Sequence, residues 1–185
     1  MTCAGILLTG GASRRMATDK ARIVWQGETL AARAARVLGE VCDPVIEVGS
    51  AATGLRCVRE EPSGAGPLAA LVAGVRALPA RGPVLLLACD LPFVEPPVLR
   101  LLADAPGVGT VIPRMDTRLQ YVCARYGADA LDRAATALAA GERSLRAVAD
   151  VEFAEVSEEQ WREVGPPNAF ADLDTPADLR RLGLS

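Results

Sequence analysis

The chain has 185 residues, of which 20 are basic and 23 acidic, giving a formal charge of −3 and an isoelectric point near 5.1. That balance excludes a strongly basic nucleic-acid or membrane-surface binder. Histidine is absent, which excludes a Ser-His-Asp triad, a Cys-His pair, a His-ligated zinc and an imidazole proton shuttle.

Cys3–Leu8 is a short apolar run closed by Gly10-Gly11, read as a buried strand followed by a glycine turn. From Glu28 to Val41 the apolar residues fall at helical spacing. Val45–Val48 and the segment around Cys57–Val58 read as strands. Pro67–Leu78 is a second amphipathic helix, and Val84–Cys89 is a strand apolar throughout. Pro96-Pro97 opens a helix through Leu102, since proline is tolerated in a first turn. Thr110–Pro113 and Leu119–Arg125 read as strands, 127–140 as an Ala-rich helix, and Ser144 as the cap of a short one. Residues 152–156 read as a late strand, Ser157–Gln160 as a capping box, and Thr175-Pro176-Ala177-Asp178 as the start of a last helix. This alternation predicts an α/β fold with a largely parallel sheet between two helical layers.

The length predicts a single domain over residues 1–185. A hydrophobic content of 50% is enough for a sizeable core. No apolar run reaches the ~18 residues of a membrane span, and no basic stretch precedes the first apolar run. Of the five cysteines, Cys3, Cys89 and Cys123 lie in apolar runs and read as core residues; no C-x-x-C occurs. A reducing, cytoplasmic setting fits this usage.

In an open α/β sheet, ligands bind beyond the carboxyl ends of the strands. Two segments occupy such positions: Leu8-Thr9-Gly10-Gly11 running on to Asp19-Lys20, and Cys89-Asp90-Leu91-Pro92. The glycines let the backbone approach an anion closely. Arg14, Arg15 and Lys20 suit a polyphosphate, although the Walker A and Rossmann glycine patterns are both absent. Lys20 is the single lysine among 19 arginines, which points to a compact ammonium where a guanidinium would not fit. Asp90 ends the most apolar strand and reads either as a cap or as a Mg²⁺ ligand, since Mg²⁺ needs only one or two carboxylates beside phosphates and waters. Asp172 and Asp174 fall on one face of an extended segment and read as a further ligand, or, for Asp174, as the residue that merely precedes the Thr175 cap. Gly64-Ala65-Gly66-Pro67-Leu68 is another glycine-rich helix entry, read equally as a plain turn or as a ligand contact.

Leu8-Thr-Gly10-Gly11-x-Ser13-x-Arg15-Met16-x-x-Asp19-Lys20 resembles the N-terminal signature of the MobA-like molybdenum cofactor guanylyltransferases. Gly66-Pro67-Leu68, Cys89-Asp90-Leu91-Pro92 and Phe170-x-Asp172-x-Asp174-Thr175-Pro176 resemble the family's later motifs in the same order. The resemblance implies a Rossmann-like three-layer α/β/α nucleotidyltransferase fold. It implies transfer of GMP from GTP to a molybdopterin-type cofactor with Mg²⁺ and release of pyrophosphate. Carried over, Leu8, Thr9, Gly10 and Gly11 would hold base and sugar, and Arg15 and Lys20 the phosphates. Asp90 and Asp172 would hold the metal, and Glu61, Pro67 and Leu68 would contribute to the nucleotide site. The implied partners are small molecules and cofactor hand-over proteins, with no nucleic acid and no membrane; the chain is expected to be a monomer.

The chain departs from the family pattern in having Thr9 and Ala17 for the usual Ala and Gly, Glu61 for an Asp, and Asp172 and Asp174 for Asn. These departures leave open a cytidylyl or other-acceptor transferase and a non-catalytic nucleotide-binding regulator.

Overall fold

A computed structural model describes residues 3–10, 19–62, 64–107, 109–173 and 176–181. The strands are β1 (Cys3–Leu8), β2 (Val24–Trp25), β3 (Glu28–Thr29), β4 (Cys42–Val48), β5 (Cys57–Val58), β6 (Val84–Ala88), β7 (Val111–Met115), β8 (Arg118–Leu119), β9 (Cys123–Tyr126) and β10 (Ala154–Val156). The helices are α1 (Leu30–Gly39), α2 (Pro67–Ala77), α3 (Pro96–Ala103), α4 (Ala128–Ala139), α5 (Arg146–Ala149), α6 (Glu158–Arg162) and α7 (Pro176–Arg181). The main sheet runs β10-β7-β9-β6-β1-β4-β5, with β8 paired to β7. It is parallel except around β9, which is antiparallel to both β6 and β7, and at β8, which is antiparallel to β7.

Alternation along the two central strands builds the layers. Leu7, Leu85 and Leu87 face a core shared with α1, α3, Trp161 and Phe170. Ile6, Leu8, Val84 and Leu86 face the other core, with α2, α4 and α5. Both faces of β6 are therefore covered, which is why it is apolar throughout. Burying each such Leu or Ile is worth about 1.5–3 kcal/mol. The result is the three-layer α/β/α arrangement that the alternation predicts.

The helix expected from Glu28 begins at Leu30, because Thr29 closes a two-residue hairpin and its hydroxyl accepts the Ala32 N–H as cap. The Leu119–Arg125 strand is split. β8 folds back on β7, a turn intervenes, and β9 starts at Cys123. Ser157 and Gln160 form the capping box, and the Ser144 hydroxyl accepts the Arg146 N–H just before α5. All five cysteines are free thiols; Cys42, Cys89 and Cys123 are buried, and Cys3 and Cys57 are partly so. Cys3 is thus less enclosed than an interior residue, since it stands at the amino end of a central strand, beside an open cleft. The Thr175 cap lies outside the described residues. Among the described residues no helix is long and apolar enough to cross a membrane.

After α6 the chain returns across the sheet ends. Trp161 is fully buried, stacks edge-on against Phe170 with centroids 5.0 Å apart, and donates its indole N–H to the Arg114 carbonyl. This anchor carries the following residues to the end of β6. Trp161→Ala should lower stability by about 3–5 kcal/mol through the cavity left behind, read from the urea unfolding midpoint.

Candidate active site

The strand order reverses at β1: the chain moves out to β4 and β5, then places β6 on the other side. Such a reversal leaves a crevice at the carboxyl ends of the adjacent strands. A cavity of about 370 Å³ lies there. Leu8, Thr9, Gly10, Lys20, Pro67 and Asp90 all line it, so the structure brings together six residues singled out from the sequence. Clefts between α2 and α4 (about 530 Å³) and at the amino ends of the central strands (about 640 Å³) are larger. Neither contains this grouping.

Parallel pairing sets Leu8 beside Ala88, and the Cys89 N–H donates to the Leu8 carbonyl at 3.0 Å. Asp90 therefore leaves the sheet next to the glycine turn. Lys20 begins a 3₁₀ turn (Lys20–Arg22) whose cap is Asp19, the carboxylate accepting the Ala21 N–H at 3.1 Å. The Lys20 ammonium stands 3.4 Å from an Asp90 carboxylate oxygen, the two side chains 15% and 27% exposed. A partly enclosed cation and anion at that spacing can each also meet a ligand of opposite charge.

On the far wall, Gly66 has φ of 100°, and a Cβ there would stand 3.0 Å from the Arg143 carbonyl oxygen, so glycine is required. It opens α2 without a side-chain cap. The positive end of the helix dipole thus borders the cavity, which favours a phosphate group. Pro67 lines that wall. Leu68 stands behind it: its side chain is fully buried and its N–H donates to the Arg143 carbonyl. Of the two adjacent glutamates, Glu60 lines the cavity and accepts the Gly64 N–H at 3.0 Å. Glu61 is exposed and is not part of the lining. Nothing in the sequence pattern separated these neighbours, because the segment is a loop without periodicity. Asp172 is exposed, and the next residue, Leu173, donates its N–H to the Asp90 carbonyl at 3.1 Å. Gly11, Arg14, Arg15 and Asp174 lie outside the described residues.

Sequence reasoning missed the brace behind Thr9. Glu47 on β4 is fully buried with no cation among its hydrogen-bond partners. Its carboxylate accepts from the Thr9 hydroxyl (2.6 Å), the Ala52 N–H (2.7 Å), the Thr53 N–H (3.1 Å) and the Thr53 hydroxyl. The Thr9 hydroxyl in turn accepts the Ser50 N–H at 3.1 Å. A lone Glu in a strand that is otherwise largely apolar was the available signal. Gly49 completes the brace with φ of 138°; a Cβ on it would stand 2.1 Å from the Gly10 nitrogen.

Burial pushes the Glu47 carboxyl up, but the four hydrogen bonds more than offset this and leave it below its usual value of 4.5. Burial, followed by the nearby Asp90 and Asp19, pushes the Cys89 thiol up to about 12, so it is not a nucleophile at neutral pH. Among the described residues no group of three or more Cys, Asp or Glu could cage a metal by itself.

A switch-point cavity bounded by a glycine turn, an uncapped helix start and a Lys–Asp pair defines a nucleotide-handling α/β protein. The chain matches the family model for the MobA-like NTP transferase domain over residues 5–157. It belongs to that family and is a nucleotidyltransferase. It is 34% identical to a "Probable molybdenum cofactor guanylyltransferase" of Chloroflexus aggregans, covering 97% of this chain and 93% of the relative. A protein of the same name from Mycobacterium avium is also 34% identical, covering 98% and 95%. Among solved structures, the molybdopterin-guanine dinucleotide biosynthesis protein A of Archaeoglobus fulgidus superposes with a TM-score of 0.82 at 23% identity, covering 97% of this chain and 96% of its own. A nucleotidyl transferase from Methanothermobacter gives 0.76 at 20% identity, covering 98% and 95%. These superpositions establish the nucleotidyltransferase fold.

Two outcomes follow from the brace. A carboxyl held below its usual value contributes stability above that value and loses it as pH falls. Glu47→Gln should therefore cost about 1–3 kcal/mol at pH 7, and the gap to the parent protein should close below about pH 4.5 in paired denaturation curves. Gly49→Ala should displace Gly10 and weaken nucleotide binding roughly tenfold or more by calorimetry.

Proposed function

We propose that the protein transfers GMP from GTP to a molybdopterin-type cofactor, releasing pyrophosphate, with Mg²⁺ as the metal. The Lys20–Asp90 pair at the mouth of the switch-point cavity carries this reading; the names of the relatives supply the acceptor and the base.

In this reading Leu8, Thr9, Gly10 and Gly11 hold the base and sugar, with Pro67 on the nucleotide wall and Leu68 packed behind it. Arg15 and Lys20 hold the phosphates. Asp90 and Asp172 hold the metal, a reading supported by the Leu173 N–H bond to the Asp90 carbonyl. The donor set suits Mg²⁺: a partly exposed carboxylate with hard oxygen ligands, no His or thiolate cage, and room for substrate phosphates and waters to complete the octahedron. When bound, Mg²⁺ neutralises charge on the phosphates and on the departing pyrophosphate.

The acceptor's phosphate monoester is mostly ionised at neutral pH, its second pKa being about 6. One of its oxygens attacks the α-phosphorus of GTP. A new phosphorus–oxygen bond forms as the bond between the α-phosphorus and the bridging oxygen breaks, and pyrophosphate leaves with that electron pair. No general base is needed, which fits a chain without histidine. Lys20 neutralises developing charge and orients the phosphates. We read residues 1–185 as one domain working as a monomer in the cytoplasm, passing its product to molybdenum-cofactor hand-over proteins.

Calorimetric titration with GTP, CTP, ATP and UTP, each with Mg²⁺, should show preferential GTP binding; a preference for CTP would overturn the guanylyl reading. Pyrophosphate release with purified molybdopterin should be lost in Asp90→Ala, and normal turnover there would overturn the metal assignment. Lys20→Arg keeps the charge but enlarges the head group in a slot only 15% exposed. It should lower kcat roughly tenfold or more.

A further inference from the structure

We infer that Arg33 is a positioning residue that fixes the Asp90 loop against the Lys20 segment. The inference rests on the reading of Asp90 and Lys20 as the metal- and phosphate-binding pair. Arg33 lies on α1, is 17% exposed, and is not among the residues that line the cavity. Its Nε donates to the Pro92 carbonyl at 2.6 Å, two residues beyond Asp90. Its guanidinium lies 4.9 Å above the Trp25 ring, and Trp25 meets Phe93 edge-on at 5.2 Å. Its Nη1 is 3.4 Å from Glu28, which Arg36 also engages, at 2.8 Å. One side chain therefore joins β2, β3 and α1 to the loop that carries Asp90.

The connection bears on the site because of how both segments are held. Lys20 leads directly into the β2–β3 hairpin: the Ile23 N–H donates to the Lys20 carbonyl, and the Leu30 N–H donates to the Ile23 carbonyl. The hairpin and the start of α1 thus move with Lys20. The Asp90 loop is tied at Cys89 to Leu8, at Asp90 to Leu173, and at Pro92 to Arg33. The Arg33 bond is made from the Lys20 side, where it backs the Lys20–Asp90 pair and the Trp25–Phe93 contact. A charged donor to a carbonyl is stronger than a neutral one, and the Pro92 that accepts it is buried. Losing the bond frees the Asp90 carboxylate to shift relative to Lys20. A shift of about 1 Å in a group that positions substrate can cost on the order of a hundredfold in rate.

The test compares Arg33→Ala and Arg33→Lys with Arg36→Ala, which loses the same Glu28 partner but has no bond to the loop. Two readouts are used on the full chain. The first is hydrogen exchange at residues 88–95, which does not depend on the reaction. The second is pyrophosphate release from Mg²⁺–GTP with molybdopterin, resolved into kcat, the KM for GTP and the Mg²⁺ concentration giving half-maximal rate. Support would be faster exchange at 88–95 in Arg33→Ala alone, kcat down about 10–100-fold, a several-fold higher Mg²⁺ requirement, a GTP KM within about twofold of the parent, and part of kcat restored in Arg33→Lys. Unchanged exchange at 88–95, or a kcat and Mg²⁺ requirement matching the parent, would overturn the inference. So would equal effects in Arg36→Ala. If the parent protein itself releases no pyrophosphate, the functional reading fails, and the exchange comparison alone decides whether Arg33 fixes the loop.

Discussion

Parallel pairing between β1 and β6 sets Leu8 beside Ala88 and hands the Cys89 N–H to the Leu8 carbonyl. Everything at the active site is referenced to that join. Strands buried on both faces have no freedom to slip, since a shift of one residue would turn Ile6, Leu8 and Leu86 into the opposite core. The register in turn places the glycine turn and Asp90 side by side at the switch point. The hydrophobic core thus sets the separation of the charged groups, which by themselves could not hold it. A Lys–Asp pair that is partly exposed contributes little stability of its own.

The site is electrostatically economical. Lys20, Asp90 and the start of α2 border one cavity, and the buried carboxylate behind it, Glu47, is satisfied by neutral donors. Because Glu47 spends its charge on the Thr9 hydroxyl and the 50–53 loop, it stiffens the wall without being available to a ligand. Thr9 is half of a matched pair with Glu47.

Much of this was legible in the sequence because it rests on periodicity and punctuation. The apolar run of β6, the helical spacing of α1 and α2, and the glycine turn after β1 each have a local cause. So does the capping box at Ser157. Six of the proposed site residues could be named because they sit at strand ends or helix starts. What could not be read depends on long-range or short-element geometry. The β2–β3 hairpin turns through Gln26-Gly27, at φ of 51° and 87°, with two-residue strands too short for any pattern. The break between β8 and β9 follows from pairing with β7. The choice of Glu60 over Glu61 for the cavity wall, the retreat of Leu68 into the core, and the meeting of Glu47 with Thr9 are all tertiary outcomes.

The Leu173 N–H reaches back to the Asp90 carbonyl, held there by the Trp161–Phe170 stack. A chain emerging from the ribosome begins to form its early elements first. On that timetable the central strands are made before the Leu173 N–H can meet the Asp90 carbonyl. A chain cut short of Leu173 would thus keep a recognisable sheet but lack one of the backbone ties of the loop that carries Asp90.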